Sequence, residues 1–105
     1  MSRSTPEVLR DALAHFALMQ EYAAHDLSSQ LVIDAVCMRL SAGLESLNRL
    51  DPEALDELFG ASWPLMWGMR NRIAHGYLLV DAGIVRRTLE RDIPPIVARI
   101  KDRLD

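Results

Sequence analysis

The sequence predicts an all-α protein, an antiparallel bundle of four to five helices. Apolar residues recur three and four positions apart along almost the whole chain, which is the spacing of amphipathic helices, and no segment alternates convincingly as a half-buried strand does. Serine, threonine or aspartate stands at the start of each of several apolar segments, twice directly before a proline, as N-caps do. The connections between these segments are short, and short connections place successive helices antiparallel.

The first two predicted helices are the longest. Thr5 precedes Pro6, and an N-cap followed by proline predicts a helix from about residue 6 to about residue 25. Ser28 or Ser29 can cap a second helix over roughly residues 29–50. The apolar residues of the second helix cover more than one face, which predicts burial on several sides. In so small a protein, one of those sides can belong to another subunit.

A short helix and a third long helix follow. Asp51-Pro52 repeats the cap-and-proline signal and predicts a short helix that reaches about Phe59 and ends at Gly60. Residues 62–74 are predicted to form the third long helix, with Gly76 as its C-terminal glycine.

The last predicted helix contains an interruption. Asp81 can cap it, and its apolar pattern continues to about Leu104. Pro94-Pro95 removes two backbone donors and clashes with the preceding turn, so a kink or a break is expected there.

The bulk composition predicts one soluble domain over residues 1–105. Apolar residues make up 50% of the chain and charged residues 26%, which is ordinary for a globular protein. Cys37 is the single cysteine, so a buried thiol in a reducing compartment is expected rather than a disulfide. No signal peptide is evident, and no apolar segment reaches the roughly 18 residues that a bilayer requires. A cytoplasmic location is therefore expected.

Charge is divided unevenly along the chain, whose net charge is −3. Residues 1–60 contain four basic and ten acidic residues, whereas residues 61–105 contain eight basic and five acidic residues. Local potential rather than net charge decides whether a phosphate is attracted, so the second half is the better place for an anionic ligand. Solvated helix faces are the alternative, and we prefer it for Arg99, Lys101 and Arg103.

The most unusual segment is Arg70-Asn71-Arg72-Ile73-Ala74-His75-Gly76-Tyr77. On a helix, Asn71 and His75 share a face, and Arg70 lies about 140° away with a side chain long enough to reach the same cleft. Arginine offers a planar fork to phosphate oxygens, imidazole moves protons near neutral pH, and an amide can hold either partner. These groups suit a phosphodiester. On spacing alone, an exposed helix end where His75 meets the helix dipole is an equal alternative.

The pattern Arg-Asn-x-x-x-His-x-Tyr, formed by Arg70, Asn71, His75 and Tyr77, resembles the signature of the HEPN superfamily. The closest resemblance is to its HepT-like branch, toxins paired with MNT-type minimal nucleotidyltransferases, and it extends over about residues 6–104. The other segments that carry it are Asp34-Ala35-Val36, Leu40, Gly43-Leu44-Glu45 and the tail from Val80 to Ile96. Glycine and glutamate are often adjacent in the family, whereas Leu44 separates them here, so the role of Glu45 stays open.

The resemblance implies a metal-independent endoribonuclease that works as a homodimer. Two motif helices would meet across a two-fold axis and form one cleft. Arg70 would bind the scissile phosphate and stabilise its developing charge, His75 would transfer protons as the ribose 2′-hydroxyl attacks, and Asn71 would orient the phosphate or the imidazole. No metal or other cofactor is implied. The reaction would be restricted to RNA, and it would leave a cyclic phosphate.

Tyr77 has a second implied role. In the HepT-like branch the motif tyrosine is AMPylated by the partner nucleotidyltransferase, and bulky negative groups beside the cleft would exclude RNA. The chain would then be the toxin of a type VII-like toxin–antitoxin module. The alternative for Tyr77 is a half-buried aromatic residue after a helix end.

Other residues are weaker candidates. His15 and His25 have no partner at metal-ligand spacing and are expected to be surface or partly buried histidines. Trp63 and Trp67 lie four residues apart and could stack on bases, although core or dimer packing is the stronger expectation. Arg72, Arg86 and Arg87 could form a basic rim for RNA, and for Arg86 and Arg87 a solvated face is at least as good an expectation.

Three functions compete at this point. The first is a toxin that cleaves tRNA or mRNA. The second is a non-catalytic HEPN module that binds nucleotide or acts as a scaffold for a nucleotidyltransferase. The third is a helical oligomerisation domain in which Arg70 and His75 are incidental. The complete motif favours the first function over the second.

Overall fold

Six α-helices and one π-helical turn make up the part of the chain that the structure describes. The structure is a computed structural model that describes residues 3–76 and 80–105, and these residues contain no strand. The elements are α1 (Thr5–Ala23), α2 (Gln30–Leu47), α3 (Pro52–Phe59), α4 (Ser62–His75), α5 (Ala82–Arg87), the π-helical turn (Thr88–Asp92) and α6 (Ile93–Leu104). The predicted all-α bundle is confirmed, with the last predicted helix divided.

Side-chain caps start three of the helices. Asp51 and Asp81 each accept the backbone N–H of the third residue of their helices, at 2.9 and 2.8 Å, as predicted. At α1 the cap is Ser4 and not the predicted Thr5. The Ser4 hydroxyl accepts the Glu7 N–H at 3.3 Å while the Glu7 carboxylate accepts the Ser4 N–H at 3.4 Å, which forms a capping box. The glutamate three residues after Ser4 therefore decides the start.

Helix ends depart from prediction in two places. α2 ends at Leu47, three residues before the predicted end. Gly60 ends α3 with a φ of 53°, a left-handed conformation that glycine adopts without strain. Gly76 does end α4, but its φ of 160° is extended backbone, so the left-handed glycine cap expected there is not formed.

The predicted break in the last helix lies before the two prolines. Pro94 and Pro95 occupy the first turn of α6, where a missing N–H is not needed by the helix. The donors that they lack would have bonded to the carbonyls of Glu90 and Arg91, within the π-helical turn. The wider turn before the prolines avoids this conflict.

The core lies between α1, α2 and α6, with contributions from the shorter helices. Its largest fully buried side chains are those of Val8, Leu9, Phe16, Met19, Val36, Leu40, Leu44, Leu47, Val85, Ile93, Ile96 and Ile100. The Phe16 ring packs directly on the α2 backbone at Gly43. Cys37 is buried as expected, and burial, with a contribution from Asp34, raises the pKa of its thiol to about 11. This thiol is therefore uncharged at neutral pH.

One face of α2 has no packing partner among residues 3–76 and 80–105. Leu31 is 79% exposed and Met38 is 52% exposed, and the half-buried Ala35 and Ala42 lie between and beyond them. Spacings of four, three and four residues place all four side chains on one stripe. No helix in the described residues has the length and apolar character needed to cross a membrane.

Candidate active site

Arg70 is held on three sides within α4 and α2. Its Nε and Nη2 donate to Oε1 of Glu45 at 3.0 and 2.6 Å, and its Nη1 donates to Oδ1 of Asn71 at 3.2 Å. Its Cζ lies 4.9 Å from the centroid of the Trp67 ring, within cation–π distance. The side chain is only 27% exposed, because most of its surface contacts other residues of the same chain.

Glu45 is the site residue whose role the sequence left open. It lies 25 residues before Arg70 and reaches it because α2 packs beside α4. A pocket of about 290 Å³ between the two helices adjoins the pair. The residues that line it are Met38, Ser41, Ala42, Glu45, Ile73 and Ala74. The Gly43-Leu44-Glu45 segment was the available signal, but spacing along one chain could not place it opposite Arg70.

His75 and Asn71 lie on the outward side of α4. His75 is the last residue of the helix and is exposed, while Asn71, one turn earlier, is half-buried. Pro64 and Gly68 continue the same exposed face toward the start of the helix. A Cβ atom added to Gly68 would meet nothing within 4 Å, so this side of α4 is open. Asn71 therefore accepts from Arg70 and lies one turn before the exposed imidazole.

Three aromatic rings form a row that leads to Arg70. The centroids of Phe59 and Trp63 are 5.8 Å apart, those of Trp63 and Trp67 are 5.9 Å apart, and the interplanar angles are 27° and 25°. Phe59 is buried, and both tryptophans are half-buried. Trp63 and Trp67 thus pack against other side chains of the same chain, as expected. Arg70 covers one face of the Trp67 ring.

The three arginines of the predicted rim divide into two groups. Arg72 and Arg87 line one groove of about 520 Å³ between α4 and the α5 region. The other lining residues are Pro64, Leu65, Met66, Gly68, Met69, Ile84, Thr88 and Asp92. Arg86 is exposed but does not line this groove. Tyr77 lies outside the described residues, so its predicted role stays a prediction.

The other two histidines, His15 and His25, lie in and just after α1. His15 is half-buried, and its Nδ1 lies 3.3 Å from Nη1 of Arg39, which itself lies over the Tyr22 ring. His25 is exposed just after α1. Among residues 3–76 and 80–105, no group of three or more metal-ligating side chains is close enough to hold an ion.

A helical bundle whose fourth helix carries arginine, asparagine and histidine at its end has the architecture of an HEPN-type domain. The family model described as ribonuclease HepT-like matches residues 9–102. The chain therefore belongs to the ribonuclease HepT-like family. No curated protein and no solved structure matches it. Membership indicates ribonuclease activity, and hence an RNA substrate, at the level of the family.

Proposed function

We propose that this protein is a metal-independent endoribonuclease, the toxin of a type VII-like toxin–antitoxin module. The observation that carries the proposal is the arrangement at the end of α4. Arg70 is fixed by Glu45 and Asn71, and the His75 imidazole is exposed one turn beyond Asn71. Phosphodiester cleavage needs a fixed cation and an accessible proton carrier, and α4 supplies both.

The proposed reaction is an internal transfer at phosphorus. The ribose 2′-hydroxyl loses its proton to an imidazole and attacks the adjacent phosphorus, the bond to the 5′-oxygen breaks, and that oxygen takes a proton. The products are a 2′,3′-cyclic phosphate and a 5′-hydroxyl. His75 carries the proton, Arg70 stabilises the charge on the phosphoryl oxygens, and Asn71 orients Arg70 through its Oδ1.

A homodimer completes the proposed site. His75 and Arg70 of one chain lie on different sides of α4, so a second α4 helix would bring additional arginine and imidazole groups into the same cleft. The stripe of Leu31, Ala35, Met38 and Ala42 on α2 adjoins the Glu45 side of this face. An apolar helix stripe of this kind is stabilised when a second copy covers it.

Introducing charge into this stripe is expected to convert the protein to a monomer. In a Leu31→Asp, Met38→Asp double variant, two carboxylates would have to be buried without partners if the dimer formed. Sedimentation equilibrium should then give the 11.8 kDa mass of one chain, whereas the wild type should give twice that mass. Ala98→Asp, which adds charge at an exposed position of α6, is the control that should stay dimeric. A double variant with the wild-type mass would show that this stripe is not the interface.

The groove beside α4 supplies a path for the RNA strand. Arg72 and Arg87 are both exposed and line the same groove, and arginines at such a surface bind backbone phosphates without reading the base sequence. Arg86 would act only as a more distant part of the rim. This placement agrees with the basic surplus of residues 61–105.

Regulation by AMPylation of Tyr77 is part of the proposal. The tyrosine follows His75 by two positions, so nucleotidyl groups on its hydroxyl would add negative charge next to the proposed cleft. The partner would be an MNT-type nucleotidyltransferase antitoxin that meets the toxin in the cytoplasm.

The test is RNA cleavage in EDTA by purified protein whose Tyr77 is shown by mass spectrometry to be unmodified. The assay should give tRNA or mRNA fragments with cyclic phosphate ends, and the corresponding single-stranded DNA should not be cleaved. Absence of cleavage by this unmodified protein would contradict the ribonuclease proposal.

A non-catalytic module that binds nucleotide or acts as a scaffold for a nucleotidyltransferase is the second candidate. The Glu45–Arg70 ion pair favours the scaffold form of this candidate, because it gives Arg70 a structural role that requires no phosphate. Stable binding of a nucleotidyltransferase without any cleavage would select this function.

A further inference from the structure

The guanidinium of Arg70 lies over the Trp67 ring and is hydrogen-bonded along one edge. The Trp67 ring lies 4.9 Å from its Cζ. Oε1 of Glu45 accepts from both Nε and Nη2, which is the side-on edge of the guanidinium. Trp67 is itself held by stacking on Trp63, which stacks on the buried Phe59. The restraint thus begins in the core at the end of α3 and ends at the proposed catalytic arginine.

The hydrogen bonds leave a defined pair of donors. A guanidinium carries five N–H groups. Glu45 takes one from Nε and one from Nη2, and Asn71 takes one from Nη1. One N–H is left on each of the two terminal nitrogens. Donors on the two terminal nitrogens can bond to two oxygens of a phosphate.

We propose that Trp67 and Glu45 are positioning residues that present the two remaining N–H groups of Arg70 to the phosphate of the RNA substrate. This inference rests on the proposed function. Trp67 prevents the guanidinium from rotating out of plane through a cation–π contact, and Glu45 fixes its rotation within the plane. The aromatic row thereby reduces the rotamer entropy that Arg70 would lose on binding phosphate.

An alternative role for Glu45 has the opposite sign. If its carboxylate occupied the position that the phosphate needs, it would compete with the substrate, and removing it would tighten RNA binding. The count of donors argues against competition, because one N–H on each terminal nitrogen is left for the phosphate.

The experiment measures binding and so does not depend on cleavage. The probe is a short RNA with 2′-O-methyl groups throughout, which lacks the attacking hydroxyl, and the readout is its Kd at fixed salt. Trp67→Leu should weaken binding about five- to tenfold, the range of a partly desolvated cation–π contact. Trp67→Phe should restore most of the affinity, because a ring face is kept. Glu45→Ala should weaken binding, and Glu45→Gln, whose amide oxygen can still accept, should weaken it less.

The matched control is Trp63→Leu, which removes an indole from the same row but not the one that contacts Arg70. It should change the Kd less than Trp67→Leu, with thermal unfolding by circular dichroism reporting the folding of both. In an Arg70→Ala background, Trp67→Leu should have no further effect. An equal loss in that background, an equal loss from Trp63→Leu, or tighter binding by both Glu45 variants would overturn the proposal. Failure of cleavage alone would overturn the proposed function and leave these binding results interpretable.

Discussion

Replacing His75 with alanine is expected to lower the kcat of RNA cleavage by about a hundredfold to ten-thousandfold, the range that a positioned proton carrier contributes. KM should change little, because the phosphate is bound by Arg70 rather than by the imidazole. His75 is exposed at the last residue of α4, so the fold should lose at most the small favourable interaction with the helix dipole. Initial rates in EDTA together with a thermal unfolding curve provide the measurement.

His25 supplies the matched control for this variant. It is also an exposed histidine, but it follows α1 and lies outside the motif helix. His25→Ala should cleave RNA at the wild-type rate. If the two alanine variants were equally active, His75 would not be the proton carrier.

Replacing Gly43 with alanine should lower the free energy of unfolding. A Cβ at this position of α2 would lie within 3 Å of atoms of the buried Phe16 ring, so the ring would have to shift. The cost of such overpacking is about 1–3 kcal/mol, which exceeds the gain of roughly 0.5–1 kcal/mol that alanine brings to a helix interior. Urea unfolding followed by circular dichroism should give a lower midpoint with an unchanged slope.

The same substitution at Gly68 separates packing from helix propensity. Gly68 is also inside a helix, but an added Cβ would meet nothing within 4 Å. Gly68→Ala should therefore raise the free energy of unfolding by about 0.5–1 kcal/mol. A Gly43→Ala variant that unfolds at the same urea concentration as Gly68→Ala would show that Phe16 does not require a glycine opposite it.

Helix order and most helix starts could be predicted from the sequence because they depend on local chemistry. The aspartates before α3 and α5 act on backbone groups within three residues, so their effect is visible in sequence order. The cap of α1 is Ser4, one residue before the predicted Thr5, because two hydroxyl residues in succession precede Pro6. Glu7 selects Ser4 through the second half of the capping box.

The position of the last break was harder to predict. Pro94 and Pro95 predict an interruption, but the hydrogen bonds that they remove end at carbonyls four residues earlier. The distortion therefore lies in the turn at Thr88–Asp92. A prediction that places the helix break at Pro94 and Pro95 is therefore a few residues too late.

The candidate site divides in the same way. Arg70, Asn71 and His75 lie within six residues and could be found from helical spacing and the family resemblance. The contact of Glu45 with Arg70 depends on the angle at which α2 packs beside α4, which no local pattern specifies. The stacking of Trp63 and Trp67 could be expected from their spacing, but the placement of Arg70 over the outer ring could not.

The most direct test of the shared cleft uses a heterodimer of Arg70→Ala and His75→Ala chains, purified through two different tags and assayed for RNA cleavage in EDTA. Each variant homodimer lacks one essential group, whereas the heterodimer holds one arginine and one histidine on opposite chains. If the cleft is shared, the heterodimer should cleave RNA while both homodimers are inactive. A heterodimer as inactive as its parents would contradict a composite site, and cleavage by either homodimer at the wild-type rate would contradict the assignment of the residues.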